Sequence, residues 1–152
     1  MGSENGRGEL PGLYTDPAQP LTVAVGQAFD LVSMPAAVGH AALAALRARR
    51  VRLGPVVADS RRSVMRVGFL VAPATDPDNA ALSEWASRAG GALGVRIGGT
   101  GSTATLPPLL PWRGWLHWLV PPGAGTGRWT PAGALLSVLL TVLSERTGAR
   151  SF

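Results

Sequence analysis

Cysteine and lysine are absent from the 152-residue chain, histidine occurs twice and tyrosine once. Without cysteine there is no disulfide scaffold, zinc–thiolate site or cysteine nucleophile, and a reducing compartment is the natural setting. Without lysine, no glycine-rich loop can carry the phosphate-binding lysine of a P-loop. Long apolar runs are missing too. The longest, Leu135 to Leu143, falls well short of the roughly 20 residues that span a bilayer. The first 14 residues are rich in Gly and Glu and lack the basic-then-apolar order of a secretory signal. These absences predict a cytoplasmic protein with no membrane partner.

What is present suffices for one core. Hydrophobic residues make up 46% of the chain and charged residues 15%, and the length suits a single domain. Residues 1–20 read as a flexible lead-in and 21–152 as one α/β domain. All 14 basic residues are arginine, against nine acids, for a formal net charge of +5. Arginine is well suited to phosphate recognition. With 20 glycines and abundant alanine, the same composition also fits the codon bias of a GC-rich genome, in which arginine replaces lysine.

Along the chain, strands are predicted at Leu21–Val25, Phe29–Met34, Gly54–Ala58, Met65–Val71, Val95–Ile97, Thr103–Leu106 and Trp115–Val120. The third and fourth form a hairpin around Asp59 to Ser63. Three helices are expected. One runs from Pro35 to about Arg49, with Val38, Gly39, Ala42, Leu43 and Leu46 on its apolar face. A second begins at Asp76-Pro77 with Asp76 as N-cap, and pairs Glu84 with Arg88 on its outer side. The third is capped by Thr130 and ends at Gly148. Its leucines and valines wrap most of its circumference, which places it centrally in the core or under a partner. The fold class is therefore α+β, with a mainly antiparallel sheet and about three helices.

Candidate chemistry is sparse. His40 and His117 lie on different elements, and neither has an acid or second histidine at ligand spacing. His40, on a polar helix face, reads as solvated. His117 reads as a structural histidine or a pocket residue. Asp30 and Asp59 are the only acids near predicted strands. Two-metal phosphoryl chemistry needs acids that hold cations about 4 Å apart, and no strand carries such a pair. The run Gly98-Gly99-Thr100-Gly101-Ser102-Thr103 reads as a turn between strands. No catalytic residue, metal site or cofactor is expected.

Two binding readings remain. Arg61, Arg62 and Arg66, with the basic run Arg47 to Arg52, would suit phosphates or single-stranded nucleic acid if brought onto one surface. Trp112, Trp115, Trp118 and Trp129 cluster late in the chain. Exposed, they would be stacking platforms or interface anchors; buried, they are ordinary core.

One resemblance adds to this. Val25-Gly26, Phe29-Asp30-Leu31-Val32, Pro35 and Gly39 precede Gly54-Pro55-Val56-Val57-Ala58, and Phe69-Leu70-Val71-Ala72-Pro73 follows. Leu106-Pro107-Pro108 and His117-Trp118-Leu119-Val120-Pro121-Pro122 complete the pattern. Together they resemble small actinobacterial proteins, of the kind found in Streptomyces, grouped with the bifunctional DNA primase/polymerase N-terminal domain. The resemblance spans about residues 22–143. It implies a degenerate primase/polymerase-like fold and an ancestral link to nucleotides. It also implies that His117 is similar to that family's phosphate-binding histidine, although Trp115 stands where the family has serine. The family's paired strand acids are missing from Met65 to Val71, so polymerase activity is not implied. The first expectation is thus a non-catalytic domain binding nucleotide or nucleic acid through Arg61, Arg62, Arg66 and His117. The alternative is a protein-interaction or regulatory module, contacting a protein partner or a second copy through Trp112, Trp115, Leu136 and Leu140.

Overall fold

The computed structural model describes residues 10–110, 114–123 and 127–150, with side chains as far as 146. Its centre is the strand β4 (Arg66–Val71). The run Val67-Gly68-Phe69-Leu70-Val71 does not alternate apolar with polar residues, and all five positions are buried. A strand that is apolar on both sides must be covered on both sides. The rest of the fold supplies the two covers.

Strands β2 (Asp30–Pro35) and β3 (Val56–Asp59) flank β4, and β5 (Arg96–Gly98) and β7 (Leu116–Val120) form the edges, giving the order β5-β2-β4-β3-β7. Each pairing is antiparallel. β3 and β4 form the expected hairpin. A bulge between Val56 and Val57 shifts the register with β7, so that Val56 faces Val120 while Val57 faces Trp118. Separately, β1 (Leu21–Ala24) pairs with β6 (Thr103–Leu106) in a two-stranded ribbon. β5 and β6, adjacent in sequence, therefore belong to different sheets. The turn between them holds a change of layer.

One face of the five-stranded sheet carries the helices α1 (Ala36–Ala48), α2 (Pro77–Arg88) and α3 (Ala132–Arg150). Val32, Met34, Val67, Phe69 and Val71 meet Leu43, Leu46, Leu82, Leu135 and Leu139 in this larger core. The ribbon and a 3-10 turn at Leu10–Leu13 cover the other face, where Leu10, Phe29, Val57, Leu70 and Leu106 pack together. Leu10 is thus part of a core, and the Tyr14 hydroxyl donates to the Pro107 carbonyl. The chain joins the packed structure ahead of β1, inside the segment expected to be a flexible lead-in.

The helices sit as close as they do for local reasons. Gly39 lies over β4, where an added Cβ would fall 2.3 Å from Val67 Cβ. Asp76 caps α2 by accepting from the Asp78 N–H at 2.8 Å, with Pro77 in the first turn. Gly94, at φ 73°, closes the short 3-10 turn after α2 and turns the chain into β5. α3 differs from expectation at both ends. The Thr130 hydroxyl accepts from the Gly54 N–H at 3.1 Å, so it fastens the start of α3 to the segment before β3. The helix runs through Gly148 to Arg150. It packs against both α1 and α2, burying Leu135, Val138, Leu139 and Val142 while Leu140 is 46% exposed. It is central to the helix layer but not covered all round.

Candidate functional site

Side chains alternate across a strand, so the pairing register fixes which residues share a face. Leu70 and Val57 lie in the ribbon-side core. Gly68 and Arg66 on β4, and Asp59 on β3, point the same way. Ser33 lies opposite Gly68 and Arg96 opposite Ser33, which brings both onto this face. Beyond the ribbon's cover the face is polar and basic, with Arg66, Arg96, Arg61 and Arg62 against a single carboxylate, Asp59.

Arg66 donates to Ser33 Oγ at 3.1 Å and to the Gly94 carbonyl at 2.8 Å. Burial, and then the neighbouring Arg96 charge, lower its pKa from the ordinary arginine value. Guanidinium remains protonated in proteins. The pair Arg66–Arg96 is thus two like charges, with no carboxylate at ion-pair distance among the described residues.

At the far end of the hairpin, Arg61 forks onto Asp59, Nε to Oδ1 at 3.0 Å and Nη2 to Oδ2 at 2.8 Å. That hydrogen bond is the main reason Asp59 sits below the usual carboxylate range, with the Arg62 charge adding to it. The Arg62 side chain has no hydrogen-bond or ion-pair partner among the described residues. Arg61 and Arg62 form one wall of a cleft of about 490 Å³, Leu31 its floor and Thr103 to Thr105 of the ribbon the other wall. Beside the hairpin, the Ser60 N–H donates to the Trp115 carbonyl, and the Trp115 side chain is 72% exposed.

Arg61 and Arg62 thus share a cleft, with Arg66 on the same sheet face. His117 does not join them. It alternates with Leu116 and Trp118, which belong to the ribbon-side core, so it faces the helix side. Its Nδ1 lies 3.1 Å from the Gly114 carbonyl. His40 is exposed on α1. The run Arg47 to Arg52 closes α1 on the helix side, where Arg49 reaches Ser137 and Thr141 of α3; it belongs to a different surface.

The tryptophans divide. Trp118 and Trp129 pack against the ribbon-side core, with Trp129 tilted on Phe29 at 5.4 Å between centroids. Trp115 stands in solvent, and Trp112 lies outside the described residues. Leu136, half-buried, and Leu140 lie one turn apart on α3, with the sheet between them and the arginines.

Sequence reasoning misses Arg96. Its signal is its place between Val95 and Ile97 on a strand, but its neighbours depend on β5 pairing with β2. The acids also separate. Asp30 pairs with Val71 and Asp59 with Arg66, five residues apart on β4, or about 17 Å at a strand's rise, and they point to opposite faces. Among the described residues no group of three or more His, Asp or Glu gathers as metal ligands do. Nor is any described helix long and apolar enough to cross a membrane. Comparison with family models, with curated proteins and with solved structures finds no match.

Proposed function

We propose that this is a non-catalytic, primase/polymerase-like domain that binds single-stranded nucleic acid, or a nucleotide from it, on the basic face of its sheet. The observation that carries the reading is four arginines facing one carboxylate, with an exposed tryptophan at the rim. Guanidinium groups bind phosphates sequence-independently, and an aromatic ring in solvent offers a base a stacking surface. Trp115 and Arg61 are near enough for adjacent nucleotides, since Ser60 bonds directly to Trp115. The primase/polymerase-like motifs support the same class of ligand. The separation of Asp30 from Asp59 supports binding rather than phosphoryl transfer, which needs acids close together. The cysteine-free composition suits a reducing cytoplasm.

The test is fluorescence anisotropy of a labelled oligothymidylate with the full chain. Wild type should bind at low salt. Arg61→Ala/Arg62→Ala should lose most of the affinity, and Trp115→Ala should lose about 1–3 kcal/mol of stacking. Binding unchanged in both variants would sink the proposal. The second reading, a protein or self-association surface at Trp112, Trp115, Leu136 and Leu140, is favoured by the exposure of Leu140 and Trp115. It predicts a dimer or partner complex on a sizing column that Leu140→Ser abolishes.

A further inference from the structure

A second feature lies on the helix side of the sheet, away from the arginine face. Asp30 begins β2 and is only 2% exposed. Its Oδ2 accepts from the Asn79 amide at 2.9 Å. Asn79, itself fully buried, also donates to the Ala72 carbonyl and accepts from Ser83 Oγ at 2.8 Å. This relay fixes the orientation of the carboxylate. Asp30 Oδ1 has no hydrogen-bond partner among the described residues, and a buried acceptor in that state favours any donor that can reach it.

The carboxylate borders a cavity of about 440 Å³ between α2 and the edge strand β5. Ser83, Ser87 and Thr100 contribute hydroxyls to its lining, and Ala86, Val95 and Ile97 an apolar wall. The Ser83 hydroxyl hydrogen is committed to Asn79, and the Ser87 hydrogen to the Glu84 carbonyl at 2.9 Å. Their oxygens are left as acceptors, like Asp30 Oδ1. Gly99 keeps the carboxylate open, because a Cβ there would lie 3.5–3.7 Å from its atoms.

We propose that this cavity binds a primary ammonium group on a short aliphatic chain, with Asp30 Oδ1 as the principal acceptor. An ammonium has three donors that can diverge toward a carboxylate oxygen and two hydroxyl oxygens. A guanidinium fork wants both carboxylate oxygens, and Asn79 already holds one. A hard divalent cation wants six or more oxygens, commonly from several carboxylates, and here one carboxylate serves alone. The apolar wall suits the chain.

The experiment titrates n-butylammonium chloride into the full-length protein and follows the backbone amides of Gly99 and Thr100 by NMR, with 1-butanol as the uncharged isostere. Saturable shifts with the ammonium and none with the alcohol are expected. Asp30→Asn should weaken binding about tenfold or more, as loss of a charged hydrogen bond does. Gly99→Ala places a methyl in ordinary contact with the carboxylate, at a backbone φ that any residue adopts, and should weaken binding similarly while leaving the melting temperature near wild type. It remains informative should Asp30→Asn fail to fold. Arg61→Ala/Arg62→Ala should leave ammonium binding unchanged, which separates this site from the arginine face. No saturable binding by wild type, equal binding of the alcohol, or undiminished binding by Gly99→Ala would overturn the proposal.

Discussion

Asp59 competes with any ligand for Arg61, because its two oxygens already fill the guanidinium fork. Asp59→Asn removes that charge, and oligonucleotide affinity should rise rather than fall; anisotropy at fixed salt checks this. The same pair makes stability depend on pH. Because the folded carboxyl titrates below its ordinary value of 3.8, its contribution is present above that value and is lost as pH falls through the lowered one. In Arg61→Ala the Asp59 carboxyl should return toward 3.8 in an NMR titration. Tyr14 acts at the other extreme. Burial pushes its phenol from 10.0 up to about 12. The unfolded chain therefore ionises first, and stability present below pH 10.0 is lost as the pH rises toward 12. As the sole tyrosine, its phenolate absorbance reports it without overlap. A midpoint near 10 in the folded protein would contradict its packing against Pro107.

At the scale of elements, the close seat of α1 on β4 rests on Gly39. Gly39→Ala drives a methyl into the stiff base of Val67, and should cost about 1–3 kcal/mol of unfolding free energy by urea titration. Gly91→Ala, with open space around it, serves as the near-neutral control. Most elements are legible in the sequence because their signals are local. Asp76-Pro77 caps a helix by its own chemistry, and the unbroken run Val67 to Val71 marks a strand buried on both faces. Other features depend on partners distant in sequence. Thr130 before a helix reads as a cap, yet its hydroxyl meets Gly54, 76 residues away. β5 and β6 read as neighbours across a glycine turn, yet one edges the main sheet and the other pairs with β1. The candidate site shares that limit. Arg61 and Arg62 stand out as a pair in a hairpin, whereas Arg96 joins them only through the β2–β5 register, and His117 leaves them through the alternation of β7.

For the whole molecule, a sheet sandwiched between helices and a short ribbon leaves one stretch of one face open, and that stretch carries the arginines. The rest of the basic charge lies elsewhere, including Arg47 and Arg50 at the end of α1 on the helix side. A binding surface concentrates its salt dependence in particular residues, whereas a composition bias spreads it over all of them. The decisive measurement is the slope of log affinity for a single-stranded oligonucleotide against log salt. Wild type should bind with a clear negative slope, and Arg61→Ala/Arg62→Ala should flatten it by about 1.4, or roughly 0.7 for each phosphate no longer neutralised. Arg47→Ala/Arg50→Ala should leave it unchanged. No binding at low salt, or an equal loss of slope from both pairs, would contradict the assignment of the basic face.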